Sequence, residues 1–174
     1  MNFQIYGPFT IPTRGGNGTY LMNDDDLPRF WQDVKTEYPK LENSCGCYVF
    51  GIRTGGGIKP WYVGKSQKQS FFKEVFAVHK KSIYKDIIPS EFGTPVIFLV
   101  AKLSKGNIFS RPGKSHHDID FLENMLIIDS LRKNKELKNF KKTKFAKDLV
   151  VASYFNCTKK KNSSEKNFNL MLNK

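Results

Sequence analysis

Tyr48, Tyr62, Lys65 and Glu123 are the side chains of this sequence whose types and spacing could do chemistry. Two phenols and an ammonium at one place can hold phosphate oxygens or move a proton. A phenol ordinarily titrates near 10, so one that works near neutrality needs help. Lys65 can supply it, because a nearby cation favours phenolate. Glu123 falls between Ile119, Leu126 and Ile127 on the apolar surface of a helix. An ionised carboxylate there is costly unless it is paired or coordinated. A lysine salt bridge would satisfy it, and so would a hard cation such as Mg²⁺, which favours oxygen ligands. Gly64-Lys65-Ser66 ends like a phosphate-binding loop. That motif needs a glycine five positions before the glycine-lysine pair, where this chain has Lys59. The loop is excluded.

The elements that must position these residues are legible as patterns. Cys47–Phe50 and Trp61–Val63 are β-branched and aromatic runs joined by Thr54-Gly55-Gly56-Gly57, the pattern of a hairpin. Alternation puts Tyr48, Phe50 and Ile52 on one face, and Tyr62 with Gly64 on one face of the partner. Both tyrosines also suit a plain core strand. Ser70 can cap a helix over Phe71–Lys81, with Phe72, Val75, Phe76 and His79 on one face and Lys73 with Lys80 on another. A further helical turn follows over Ser82–Pro89. Pro95–Leu103 reads as a central strand, its apolar run fit for burial on both faces. Asp118–Lys133 reads as a helix, begun by His116-His117-Asp118 as its N-terminal cap and not as a metal site. Nearer the start, Phe3–Tyr6 is a candidate strand. Asp24-Asp25-Asp26 can cap a helix through Tyr38 that carries Leu27, Phe30, Trp31 and Val34 on its apolar face. Leu149–Ala152 is a candidate last strand.

Composition bounds the function classes. The 174 residues carry 29 Lys+Arg against 16 Asp+Glu, a formal charge of +13 that favours a polyanionic partner, nucleic acid first. Most of the bases are lysine, so a compositional bias accounts for part of the excess. No apolar run reaches the roughly 20 residues of a membrane span, and the start lacks a signal-peptide pattern. Three cysteines fit reduced thiols and a cytoplasmic protein. Cys45-x-Cys47 is not zinc spacing.

Gly46-Cys47-Tyr48 followed by Tyr62-Val63-Gly64 resembles the paired signature of the GIY-YIG nucleases. A basic helix, a strand, a helix bearing Glu123 and a later Asn139 follow in that family's order, so the resemblance covers roughly residues 45–140. It implies that Tyr48 is the general base, that Tyr62 orients water or a phosphate oxygen, and that Glu123 holds one Mg²⁺ or Mn²⁺. It implies that Asn139 tethers the site, although Asn134 is a rival and either could be a helix C-cap. Most relatives have an arginine on the first helix to neutralise the scissile phosphate. Lys73 lies there, nine positions after Gly64, and lysine lacks the bidentate fork. His79 resembles a histidine that some members carry.

The expectation is therefore an α/β (α+β) fold, a small central antiparallel or mixed sheet flanked by helices. Residues 1–44 would brace the sheet, 45–155 would form a GIY-YIG-like nuclease domain, and 156–174 a basic tail. The expected activity is metal-dependent endonucleolytic hydrolysis of DNA, without a small-molecule cofactor and without a membrane. Tyr48, Tyr62, Lys65, Lys73, His79, Glu123 and Asn139 are the expected catalytic residues. Lys65, Lys73 and Lys80 are expected on the DNA backbone, Lys80 for binding alone. The alternative is a catalytically weakened relative that binds nucleic acid.

Overall fold

The computed structural model describes residues 2–15, 20–21, 24–113, 116–139, 143 and 163–171. The chain divides into two compact units, Met1–Asn139 and Phe140–Lys174. In the second, the described structure is Thr143 and helix α5 (Ser163–Met171). The candidate strand Leu149–Ala152 lies outside the described residues.

The first unit is a mixed α+β fold around a four-stranded antiparallel sheet. Its strands are β1 (Asn2–Thr10), β4 (Gly46–Thr54), β5 (Gly57–Ser66) and β6 (Thr94–Leu103), in the order β1-β6-β4-β5. A two-stranded ribbon pairs β2 (Thr13–Arg14) with β3 (Tyr20–Leu21). The helices are α1 (Leu27–Glu37), α2 (Phe71–Glu74), α3 (Val78–Ile87) and α4 (His117–Lys133). The expected hairpin forms, with Gly55 and Gly56 as its turn and Gly57 at φ 122°, a conformation open to glycine. The Pro95–Leu103 run is an inner strand, paired with β1 on one side and β4 on the other. The chain's start is itself a strand of the sheet, longer than Phe3–Tyr6 suggested.

Each face of the sheet has its own helical cover. Tyr48, Phe50, Ile97 and Leu99 pack with Phe30, Trp31, Phe71, Phe76 and Tyr84 in the larger core. Cys45, Cys47 and Val100 pack with Ile119 of α4, flanked by Leu122 and Leu126. Cys45 and Cys47 are buried and outside any disulfide, in contact with the carbonyl oxygens of Arg111 and Ile119.

Two local expectations need correction. The stretch Phe71–Lys81 is not one helix. It breaks after Glu74, with Ala77 extended at φ −56°, ψ 151°, before α3 begins at Val78. Phe76 is buried at the break, its ring 5.2 Å from Phe30, 5.9 Å from Trp31 and 6.1 Å from Tyr84. Aromatic burial outweighs continuous helical bonding here. The face assumed for Phe72, Val75, Phe76 and His79 therefore does not exist, and Phe72 and His79 are exposed. The three aspartates do not cap α1 through a side chain either. They form a single 3₁₀ turn, and Asp26 instead takes a two-point pair from Arg14, at 2.9 and 3.0 Å. A fork of two parallel bonds to guanidinium is stronger than one backbone contact.

Candidate active site

The pairing of β4 with β5 sets the two tyrosines. Tyr48 lies opposite Gly64 and Phe50 opposite Tyr62, so the phenol rings are diagonal neighbours with centroids 6.3 Å apart. Gly64 is required by packing: a Cβ there would lie 2.2 Å from Cζ and 2.3 Å from Oη of Tyr48. The Tyr48 ring occupies the space that a side chain at 64 would need.

Tyr48 is 0 % exposed, and its hydroxyl is buried without a hydrogen-bond partner. Burial pushes its pKa well above the ordinary tyrosine value. In this arrangement the hydroxyl reaches neither water nor Lys65. Tyr62 is also largely buried, and burial, with Glu123 and Glu74 adding to it, pushes its pKa to about 12. Its oxygen accepts a hydrogen bond from Lys80 Nζ at 2.5 Å.

A pocket of about 430 Å³ opens beside this pair, with Lys65, Glu74, Lys80, Asp120 and Glu123 among its lining residues. Glu123, 7 % exposed, is 3.3 Å from Lys65 Nζ, which also binds Asp120. Gln67 joins the end of β5 to the start of α4: it donates to Asp120 at 2.6 Å and accepts from the His116 backbone at 2.8 Å. Asp118, at the start of α4, pairs with Lys102 at 2.7 Å and accepts the Ile119 N–H at 3.0 Å. His116 makes no side-chain cap.

The two pocket lysines are held in opposite senses. For Lys65, burial pulls the pKa down, but Asp120 and Glu123 outweigh it and the net shift is upward. For Lys80, burial dominates the pull of Glu74 and Glu123, and the net shift is downward. Lys65 is thereby a fixed cation, and Lys80 an ammonium more ready to give up its proton. Environments that separate the pKa values of neighbouring groups are a means of dividing acid and base roles.

Asn139 clamps the open edge of β5. It accepts from Val63 N at 2.9 Å and donates to Val63 O at 2.6 Å, extending the ladder by a side-chain amide. Asn134 ends α4 and donates to Pro60 O at 2.8 Å. Both asparagines hold the same strand.

Of the expected site residues, Lys65 and Glu123 meet on the pocket wall, Tyr62 lies behind it as the partner of Lys80, and Tyr48 and Asn139 pack around β5. Lys73 and His79 are exposed and do not line the pocket. Asp120, Glu74 and Gln67 went unread in the sequence. Asp120 had a signal, since it lies one helical turn before Glu123 and such residues share a face. The oxygen donors Asp120 and Glu123 suit a hard cation that takes its other ligands from phosphate and water. Among the described residues no three His, Cys, Asp or Glu side chains converge.

In comparisons with protein-family models, curated proteins and solved structures, the chain matches none.

Proposed function

We propose that this chain is a metal-dependent endonuclease of GIY-YIG type that hydrolyses DNA phosphodiester bonds at the pocket between β5, α3 and α4. The observation that carries the reading is the joining of Lys65 to Glu123 and Asp120 on a pocket that Lys80, held by Tyr62, also lines. A cation fixed between carboxylates sits beside a second, less strongly held ammonium. That combination suits a substrate that is anionic at rest and more anionic in its transition state. Glu123, with Asp120, would hold Mg²⁺ or Mn²⁺, which when bound supplies Lewis-acid stabilisation of phosphate charge. Lys65 orients the carboxylates and offers positive charge to a phosphate oxygen. Tyr48 in this reading is the wall against which Gly64 and Tyr62 are set, and Asn139 holds that wall's outer edge.

Supercoiled plasmid incubated with the full chain, with and without Mg²⁺, tests the reading directly. Nicking is expected with the metal and not with chelator. Glu123→Gln, which removes the ligand charge and little volume, is expected to abolish nicking while leaving the fold and DNA affinity in place. Nicking at the wild-type rate by that variant would remove Glu123 as the metal ligand.

A second reading, a nucleic-acid-binding protein without turnover, is favoured by the sealed Tyr48 hydroxyl and by the exposed position of Lys73. Tight DNA binding with no metal-dependent nicking would select it.

A further inference from the structure

Lys80 is the residue that the break between α2 and α3 relocates. As part of one helix it would share a face with Lys73. With the chain extended at Ala77, it turns instead onto the pocket, its side chain 12 % exposed. One of its three N–H groups is engaged by Tyr62 Oη. Glu74 lies 3.9 Å away, an ion pair too long for a hydrogen bond. The ammonium lies 4.8 Å from the centroid of the Tyr62 ring, beyond its hydroxyl end. The two N–H groups not given to Tyr62 are available to a ligand in the pocket.

Resting on the nuclease reading above, we propose that Lys80 is a catalytic residue, the general acid that gives its proton to the oxygen leaving phosphorus. Water oxygen bonds to phosphorus and loses a proton to solvent. The phosphorus–oxygen bond to the leaving group breaks, with its electron pair on that oxygen. The same oxygen takes a proton from the Lys80 ammonium, and the neutral amine is reprotonated from solvent. Tyr62 and Glu74 are its positioning residues. Tyr62 fixes the ammonium by its hydrogen bond, and Glu74 pairs with it at 3.9 Å. The charged groups facing it are Glu74 on α2 and Glu123 on α4. Burial, which outweighs both, lowers the pKa of Lys80.

The two roles separate on substrates that differ in the leaving atom. A thiol is far more acidic than an alcohol, so a sulfur leaving atom departs without a proton. Single-site oligonucleotide duplexes with oxygen, or with sulfur at either bridging position, are cleaved by the full chain with Mn²⁺ present. Lys80→Met is expected to lose about 10²- to 10⁴-fold on oxygen, the range for one acid–base group, and to recover on the sulfur isomer that matches the scissile bond. Lys80→Arg keeps the charge but not a transferable proton, and is expected to behave as Lys80→Met does. Lys73→Met, the exposed control, should change neither ratio. The sulfur-to-oxygen ratio is read within each variant, so a reduced folded fraction cancels. Equal losses on both substrates, or rescue of the oxygen substrate by Lys80→Arg, would make Lys80 a phosphate-neutralising cation and overturn the inference with the nuclease intact. A wild-type chain that cleaves none of the duplexes would overturn the nuclease reading and the inference with it.

Discussion

Gly64 and Tyr48 occupy one volume between them, and the consequence is measurable. Gly64→Ala places a methyl 2.2 Å from a ring carbon that is fully buried and has nowhere to go. Overpacking of this kind costs about 1–3 kcal/mol. Denaturant unfolding should show that loss, and Tyr48→Leu in the same chain should return part of it by emptying the space. Additive losses in the double-mutant cycle would mean that the two positions do not compete. Lys80 presents a different case, a charge that the fold holds at a disadvantage. Its folded pKa lies below the ordinary lysine value of 10.5. Between those two pH values the unfolded chain binds more protons than the folded one, so this lysine's contribution to stability rises with pH. Lys80→Met should therefore melt above the wild type at neutral pH, and the gap should narrow as pH approaches 10.5. A gap that widens with pH would mean that Glu74 and Tyr62 more than compensate the buried ammonium.

At the scale of elements, β5 is an edge strand that must be held in register for Lys65 to reach the pocket and for Tyr62 to meet Lys80. Its outer edge is held by side chains: Asn139 on Val63 and Asn134 on Pro60. Asn139→Ala leaves a buried N–H and C=O of Val63 without these partners, at about 1–3 kcal/mol for an unsatisfied group. Hydrogen exchange should report faster opening of the Val63 amide before any change at the centre of β6. Asn139→Asp, which keeps the acceptor and loses the donor, should fall between. An unchanged Val63 amide in Asn139→Ala would show that the clamp contributes nothing. The break after α2 is the other element-scale device. It takes Lys73 away from the pocket and turns Lys80 toward it, which a continuous helix could not do.

For the whole molecule, the +13 charge is spread over a chain whose pocket lining is internally balanced by Glu74, Asp120 and Glu123. That excess favours long-range attraction of a polyanion. DNA affinity should fall with salt at a log–log slope of about −0.9 per phosphate contacted. A flat response between low and moderate salt would remove nucleic acid as the partner and leave the lysines as a compositional bias. Among the described residues no helix is long and apolar enough to cross a membrane.

The sequence by itself determined the elements whose signals are local. The hairpin was legible because glycine turn chemistry separates two β-branched and aromatic runs. β6 was legible as an unbroken apolar run, and α4 as a 3.6-residue pattern with Glu123 on its inner side. Asn139 was legible as a residue of interest but not as the clamp on Val63, since that contact joins residues 76 positions apart. Tertiary packing alone decided the rest. The burial of Phe76 against Phe30 and Trp31 overrode helix continuity, which no periodicity between Phe71 and Lys81 announces. Arg14 drew Asp26 from its capping role because a guanidinium fork outcompetes a helix end. The protonation behaviour of Lys65 and Lys80 was also beyond the sequence. Two lysines of one kind diverge only when burial and neighbouring carboxylates, brought together by the fold, are weighed at each.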